Sequence, residues 1–329
     1  MKKNFITFSI LFIFFLMLAF PTVTKMSANT GLNLWIFTVL PALLPYTIIS
    51  SILMQLGAFS SLCNFLSRII KHNLPEHKIF TIICGCLCGC PIGAKIAADS
   101  YKKGKLSKDC AELLMCTFNN LSPSFLINYV FIDVYAPFIQ LNTSHKWLIY
   151  FIITGSSFLG AITTHRLFII KHTNNHPHLA KNLFMSSSKQ TNFLTQKKPA
   201  LNVVFEECIL SAFEIQAKIG GYIILFTIIT NLFLHTLCLS DIEAAIFGSV
   251  LEVTSGLGLF PHCNDIAGLN PNTVALVPAI ITAITAFGGI CTIFQTKTAI
   301  SDSGLSLKKY AISKFISGCL AFMCSLFLL

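Results

Sequence analysis

The stretch TFNNLSPSFL, residues 117 to 126, sets Asn119, Asn120, Ser122 and Ser124 around Pro123 inside an otherwise apolar run, with Glu112 shortly before it. Amide and hydroxyl groups at a broken helix can replace the hydration shell of a ligand or an ion. Hydrogen bonding between helices also uses such groups, at about 0.6–2 kcal/mol per contact, but five polar side chains around one proline exceed that need. A second island, GSVLEVTSGLG (residues 248 to 258), places Glu252, Thr254 and Ser255 between glycines. A glutamate there reads as a proton or sodium site, or else as the partner of a lysine such as Lys218 or Lys95. A third, AFGGICTIFQ (residues 286 to 295), joins Gly288 and Gly289 to Thr292 and Gln295. A glycine pair permits a kink or a close backbone approach, and free amides at the start of the next half-helix attract an anion.

A fourth stretch, CGCLCGCPIGAK (residues 84 to 95), repeats cysteine at every second position. Structural zinc sites favour two or more residues between paired cysteines. On a helix, every-second spacing throws successive side chains to opposite sides, so Cys84, Cys86, Cys88 and Cys90 do not converge on one ion. Gly85, Gly89 and Gly93 recur at four-residue spacing, which lets helix backbones approach closely, and Pro91 then stops or bends the helix. Lys95 and Asp99 follow. An ionisable residue within a membrane segment marks a function by default, against the plainer reading of Lys95 as a snorkelling neighbour of Lys102, Lys103 and Lys105.

These islands need an apolar frame to hold them, and the chain supplies one. Of its 329 residues 54% are hydrophobic and only 11% charged, with a mean hydropathy of +0.73. That is too little charge to cover a water-exposed surface, where about 25% is usual. The fold class expected is an all-α polytopic membrane protein with about eight to nine apolar segments, several broken or re-entrant. They fall at residues 5–20, 32–56, 79–98, 111–131, 147–170, 220–239, 244–260, 274–294 and 310–329. Pro41 and Pro45, Pro91, Pro123, and Gly256 with Gly258 interrupt them, and broken helices persist in lipid only when buried in protein or lining a cavity. Residues 59–70 and 205–218 look amphipathic, suited to the interface or to a hairpin. The net charge of +10 sits at the ends of apolar blocks, the pattern of cytoplasmic loops and not of a nucleic-acid-binding face.

The division expected is an N-terminal span in residues 1–30, a first membrane half in 31–170, a basic cytoplasmic linker in 171–200 and a second half in 201–329. The first span, led by Lys2 and Lys3, reads as uncleaved, and the acid-free linker alternatively suits a basic lipid-binding surface. A shift of 200 residues aligns Gly89, Lys95, Gly104 and Lys108 with Gly289, Gln295, Gly304 and Lys308. Duplicated halves with broken helices characterise secondary transporters.

The order LPALLPYTIISSIL, GCPIGAKIAADSYKKGKLS, NNLSP, LEVTSG and FGGICTIFQ resembles the YlbJ sporulation integral membrane protein family, from about Gly31 onward. That family carries paired nucleoside-recognition or Gate repeats similar to parts of concentrative nucleoside transporters. The resemblance implies a transporter of a small polar or anionic solute in the outer forespore membrane, linked to movement of dipicolinate from the mother cell toward the spore. A nucleoside carrier, or a membrane protein of spore assembly, is the alternative. Carried over as substrate-binding are Gly93, Lys95, Asn119, Asn120, Ser122, Thr254, Gly288, Gly289 and Gln295, with Glu252 as the ion-coupling residue. The partners expected are the bilayer, the small molecule, a coupling cation and a second copy of the chain, with no nucleic acid, metal or cofactor. An intramembrane hydrolase is disfavoured, because His165 and His262 pair with no obvious nucleophile. The cysteines at 84 to 90 stand where glycine, serine or alanine is expected, so those positions require smallness.

Overall fold

A computed structural model describes residues 2–56, 76–139, 141–175, 201–263, 274 and 276–328. The described residues are almost wholly helical, without a strand. Among the described residues, five helices or helix pairs are long and apolar enough to cross a membrane: Pro21–Leu53, Thr143–Phe168, Leu201–Thr236, Val277–Ala299 and Leu307–Leu328. The surface carries Phe8, Phe15, Phe37, Phe151, Phe315 and Phe327, each more than half exposed, while Asn119, Gln216, Glu252 and Lys314 are buried. Apolar outside and polar inside is the distribution that lipid selects. The amphipathic segment expected at residues 59–70 and most of the basic linker expected at 171–200 lie outside the described residues.

In chain order, α1 is Lys2–Ala19, α2 Pro21–Leu34, α3 Leu40–Gln55, α4 Glu76–Cys88, α5 Ile92–Lys102 and α6 Lys108–Phe118. The turn Pro123–Phe125 runs into the π-helical stretch Leu126–Val134, together α7. Then come α8 Thr143–Asn175, α9 Leu201–Thr236, α10 Asp241–Leu251, the short α11 Val253–Leu257, α12 Val277–Phe287, α13 Gly289–Ala299 and α14 Leu307–Leu328. Pro41 and Pro45 do not break the second apolar run. Instead α2 and α3 are joined by the wide turn Trp35–Val39, where Leu40 N bonds Trp35 O. Pro41 has no N–H for the carbonyl four residues back, and widening the preceding turn relieves that clash. The amphipathic stretch 205–218 is not a separate interfacial piece either, for it is the first half of the unbroken α9.

Two pairs fold back on themselves. In α4–α5, a Cβ on Gly93 would stand 3.1 Å from Gly85 Cα, so the two backbones touch. In α10–α11, Gly256 lies so close to Gly248 and Ser249 that any Cβ would overlap their backbone. A capping box starts α10, where the Ser240 amide donates to Glu243 at 3.0 Å and holds that carboxyl below the usual carboxylate range. The residues paired by the shift of 200 share left-handed glycines, with φ 73° and 78° at Gly89 and Gly289 and 67° and 70° at Gly104 and Gly304. Their paths differ: α4–α5 turns back, whereas α12 and α13 continue as one interrupted span.

The hairpins enter from opposite ends. Lys102 pairs with Asp302 at 3.9 Å, and Lys309 lies over the Phe168 ring at 5.6 Å. These contacts gather the end of α5, the starts of α6 and α14 and the later part of α8 at one basic end. At the other end Phe20 stacks on His235 with ring centroids 5.0 Å apart, and Tyr135 Oη bonds Pro278 O at 3.0 Å. The tip of α4–α5 reaches inward from the basic end, and that of α10–α11 from the other.

Candidate functional site

Each hairpin tip rests on the break of the next helix in the chain. A Cβ on Gly89 would stand 2.7 Å from Ser122 N, and Cys90 N donates to Asn120 O at 2.6 Å, so the first tip seats on the α6–α7 break. A Cβ on Gly289 would stand 3.1 Å from Ser249 O, so the second tip seats on the α12–α13 break. Each tip also meets the far segment of the other broken helix. Cys90 Sγ lies 3.6 Å from Thr296 Oγ1 on α13, and Tyr129 Oη on α7 donates to Thr254 O at 2.6 Å.

Between the tips lies a cavity of about 40 Å³, lined by Cys90, Ser122, Glu252, Thr254, Thr292 and Gln295 with apolar residues of α3, α7 and α9. At about 10–15 Å³ per water, that is room for roughly three waters. Glu252, 1% exposed, stands in extended backbone between α10 and α11 and accepts the Ser255 amide at 2.6 Å. Neither lysine weighed as its partner neutralises it: Lys218 pairs with Glu214 at 2.6 Å on α9, and Lys95 lines a different space. That space is a cleft of about 360 Å³ near the basic end, carrying Lys95, Lys102 and Lys218 with Asp99 and Asp302. Gln295 and Ile219 line both the cleft and the inner cavity, so they form the partition between them.

The residues singled out from sequence therefore divide into four groups. Ser122, Glu252, Thr254 and Gln295 converge on the cavity, although Ser122 Oγ also caps α7 by accepting Phe125 N at 3.2 Å. Lys95 lines the outer cleft. Gly93, Gly288 and Gly289 pack backbone on backbone or shape the breaks, and face neither space. Asn119, fully buried, donates to Thr296 Oγ1 at 2.9 Å and Tyr310 Oη at 3.0 Å and accepts Ala94 N at 3.1 Å. Asn120 donates to Thr117 O at 2.9 Å and accepts from Lys314 Nζ. Both amides are engaged by the protein itself and tie the two breaks to α14. The cysteine sulfurs diverge. Cys84 and Cys88 pack with Phe80, Ile92 and Ile96, Cys86 faces the side of Tyr150, and Cys90 faces α13.

Sequence reasoning missed Lys314, Tyr129, Tyr310 and Thr296. Lys314 carried a usable signal, an ionisable residue inside an apolar span, whereas the other three resemble ordinary span residues until their partners are known.

No protein-family model matches the chain, and no solved structure matches it. It is similar to the sporulation integral membrane protein YlbJ of Bacillus subtilis (strain 168), 23% identical over 330 aligned positions that cover 94% of this chain and 78% of that protein. The chain is a multi-pass integral membrane protein, and with the motif order read above, this similarity makes it a relative of the YlbJ sporulation integral membrane proteins.

Proposed function

We propose that the chain is a transporter that moves a small polar or anionic solute during sporulation, with its substrate chamber between the two hairpin tips. The observation that carries this reading is the convergence on one cavity of Glu252 and Thr254 from the second tip with Ser122 and Gln295 from the two broken helices. Hairpin, broken helix and long helix occur as α4–α5, α6–α7 and α8, then again as α10–α11, α12–α13 and α14, with ends reversed. That order supports two halves of inverted topology, and substrate sites of such carriers lie between the halves near the midplane. With α1 and α2–α3 leading and α9 between the halves, seven crossings and two hairpins account for nine apolar segments.

The positive-inside rule puts the basic end in the cytoplasm. In the outer forespore membrane, the lysine-lined cleft would then open to the mother cell. A dicarboxylate such as dipicolinate, the substrate the family resemblance implies, would be attracted by Lys95, Lys102 and Lys218 and admitted past Gln295. The inner cavity must widen to accept it, as alternating access requires. Glu252 would repel a dianion, which suits it to a proton or coupling cation. The neutral hydroxyl and amide lining of the cavity also favours a second reading, a nucleoside.

The test is uptake of labelled dipicolinate and of a labelled nucleoside into vesicles holding the purified protein. Dipicolinate uptake is expected, with Lys95→Ala and Gln295→Ala each lowering it about tenfold or more, as loss of about 1.4 kcal/mol or more per contact would. Glu252→Gln should flatten its dependence on pH or cation. Nucleoside uptake without dipicolinate uptake sinks the substrate while keeping the carrier, and uptake of neither favours an assembly protein.

A further inference from the structure

Lys314 is the one buried lysine or arginine among the described residues, 2% exposed in the apolar helix α14. Its ammonium donates to two neutral acceptors, Asn120 Oδ1 and, at 3.3 Å, Ala286 O. Ala286 belongs to the last turn of α12, and Asn120 lies just past Asn119, the residue that caps the end of α6. No carboxylate among the described residues lies within ion-pair distance of it. Glu112, the buried acid of α6, is taken by Lys309 Nζ and by Ser306 N at 3.0 Å. The other ionisable groups facing Lys314 are Cys116 of α6, Cys90 at the first tip and Tyr310 of its own helix.

The C-terminal end of a helix carries unpaired carbonyls and the negative pole of the backbone dipole. Such an end attracts a cation, and carriers with broken helices hold sodium or protons in this way. The geometry points to a built-in cation: Lys314 Nζ fills a cation site formed by the C-terminal end of α12, through the Ala286 carbonyl, and by the Asn120 side-chain oxygen just past the end of α6, latching the two broken helices together in place of a bound metal ion. A charge this deep among neutral partners is otherwise costly. The consequence for transport rests on the function proposed above: the breaks themselves need no sodium, which leaves Glu252 as the place for a mobile coupling ion.

The inference is tested on the full chain purified in detergent, by thermal unfolding in sodium chloride and in choline chloride of equal ionic strength. The difference between the two salts in the unaltered protein, which sodium bound at Glu252 would set, is the baseline. Lys314→Ala should melt several degrees lower in choline chloride and recover part of that loss in sodium chloride, the gain growing with sodium concentration as binding to the native state requires. Lys314→Gln keeps an amide donor without the charge, on a side chain one bond shorter, and should also melt below the unaltered protein. It decides the matter alone if the alanine variant does not fold. A Lys314→Gln midpoint equal to that of the unaltered protein would overturn the inference, because the charge would be dispensable. So would a folded Lys314→Ala whose midpoint gains no more from sodium, lithium or potassium than that of the unaltered protein. Neither measurement involves transport, so failure of the carrier reading and failure of this one are separately visible.

Discussion

Asn119 joins four pieces of the molecule through one side chain: the Ala94 amide, Thr296, Tyr310 and, more weakly, the Cys90 sulfur at 3.5 Å. Asn119→Ala removes three good hydrogen bonds and leaves buried partners unmet, at about 1–3 kcal/mol for each group not rescued by water. The expected loss is about 3 kcal/mol, read as a lower denaturation midpoint of the purified protein. Asn128→Ala makes the control, since Asn128 bonds only the neighbouring Ser124 at 3.2 Å on the exposed side, and it should change stability by less than about 0.5 kcal/mol. The two amides share a type and a motif neighbourhood. Partners 177 and 191 residues away in the chain separate their roles, and a polar island shows only that some partner is needed.

Helix breaks follow from residue type, since proline removes a donor and glycine frees the backbone. Whether the chain then continues or turns back is decided by what packs against it. Gly256 is where α11 turns onto α10, so Gly256→Ala drives a methyl into backbone that no rotamer change can clear, and should cost about 3 kcal/mol. Gly155 in α8 and Gly221 in α9 have nothing within 4 Å of an added Cβ. Alanine at either should be neutral or stabilising by up to about 1 kcal/mol through helix propensity. Equal losses at all three positions in a thermal-shift comparison would refute the hairpin. The α4–α5 tip follows the same logic. Alanine or serine at Cys84, Cys86, Cys88 and Cys90 together should keep a folded protein, whereas leucine at Cys90 should not, because the tip seats directly on Asn120 and Ser122.

For the whole molecule, the ends of the helices sort by charge. Lys102, Lys103, Lys105, Lys108, Lys308 and Lys309 gather at the end toward which the latter part of α8 runs, while Lys25 and Lys146 stand at the other with Asp133, Asp241 and Glu243. A reporter active only outside the cell, fused near Ser187, should therefore stay silent, and one placed in the turn after Thr236 should be active. The reverse pattern would invert the orientation and turn the lysine-lined cleft outward.

The amino-acid sequence alone determines the solvent of this protein, because apolar runs of about 20 residues with so few charges bury their backbone as helices in lipid. It also fixes where the polar islands and helix breaks stand, since those depend on residues adjacent in the chain. Tertiary structure decides which islands meet. Glu252 and Gln295 share a cavity with Ser122, Lys95 belongs to a separate cleft, and Lys314 joins Asn120 to the end of α12. Nothing local encodes those distances, because they arise only when two hairpins from opposite ends pack against each other's broken helices.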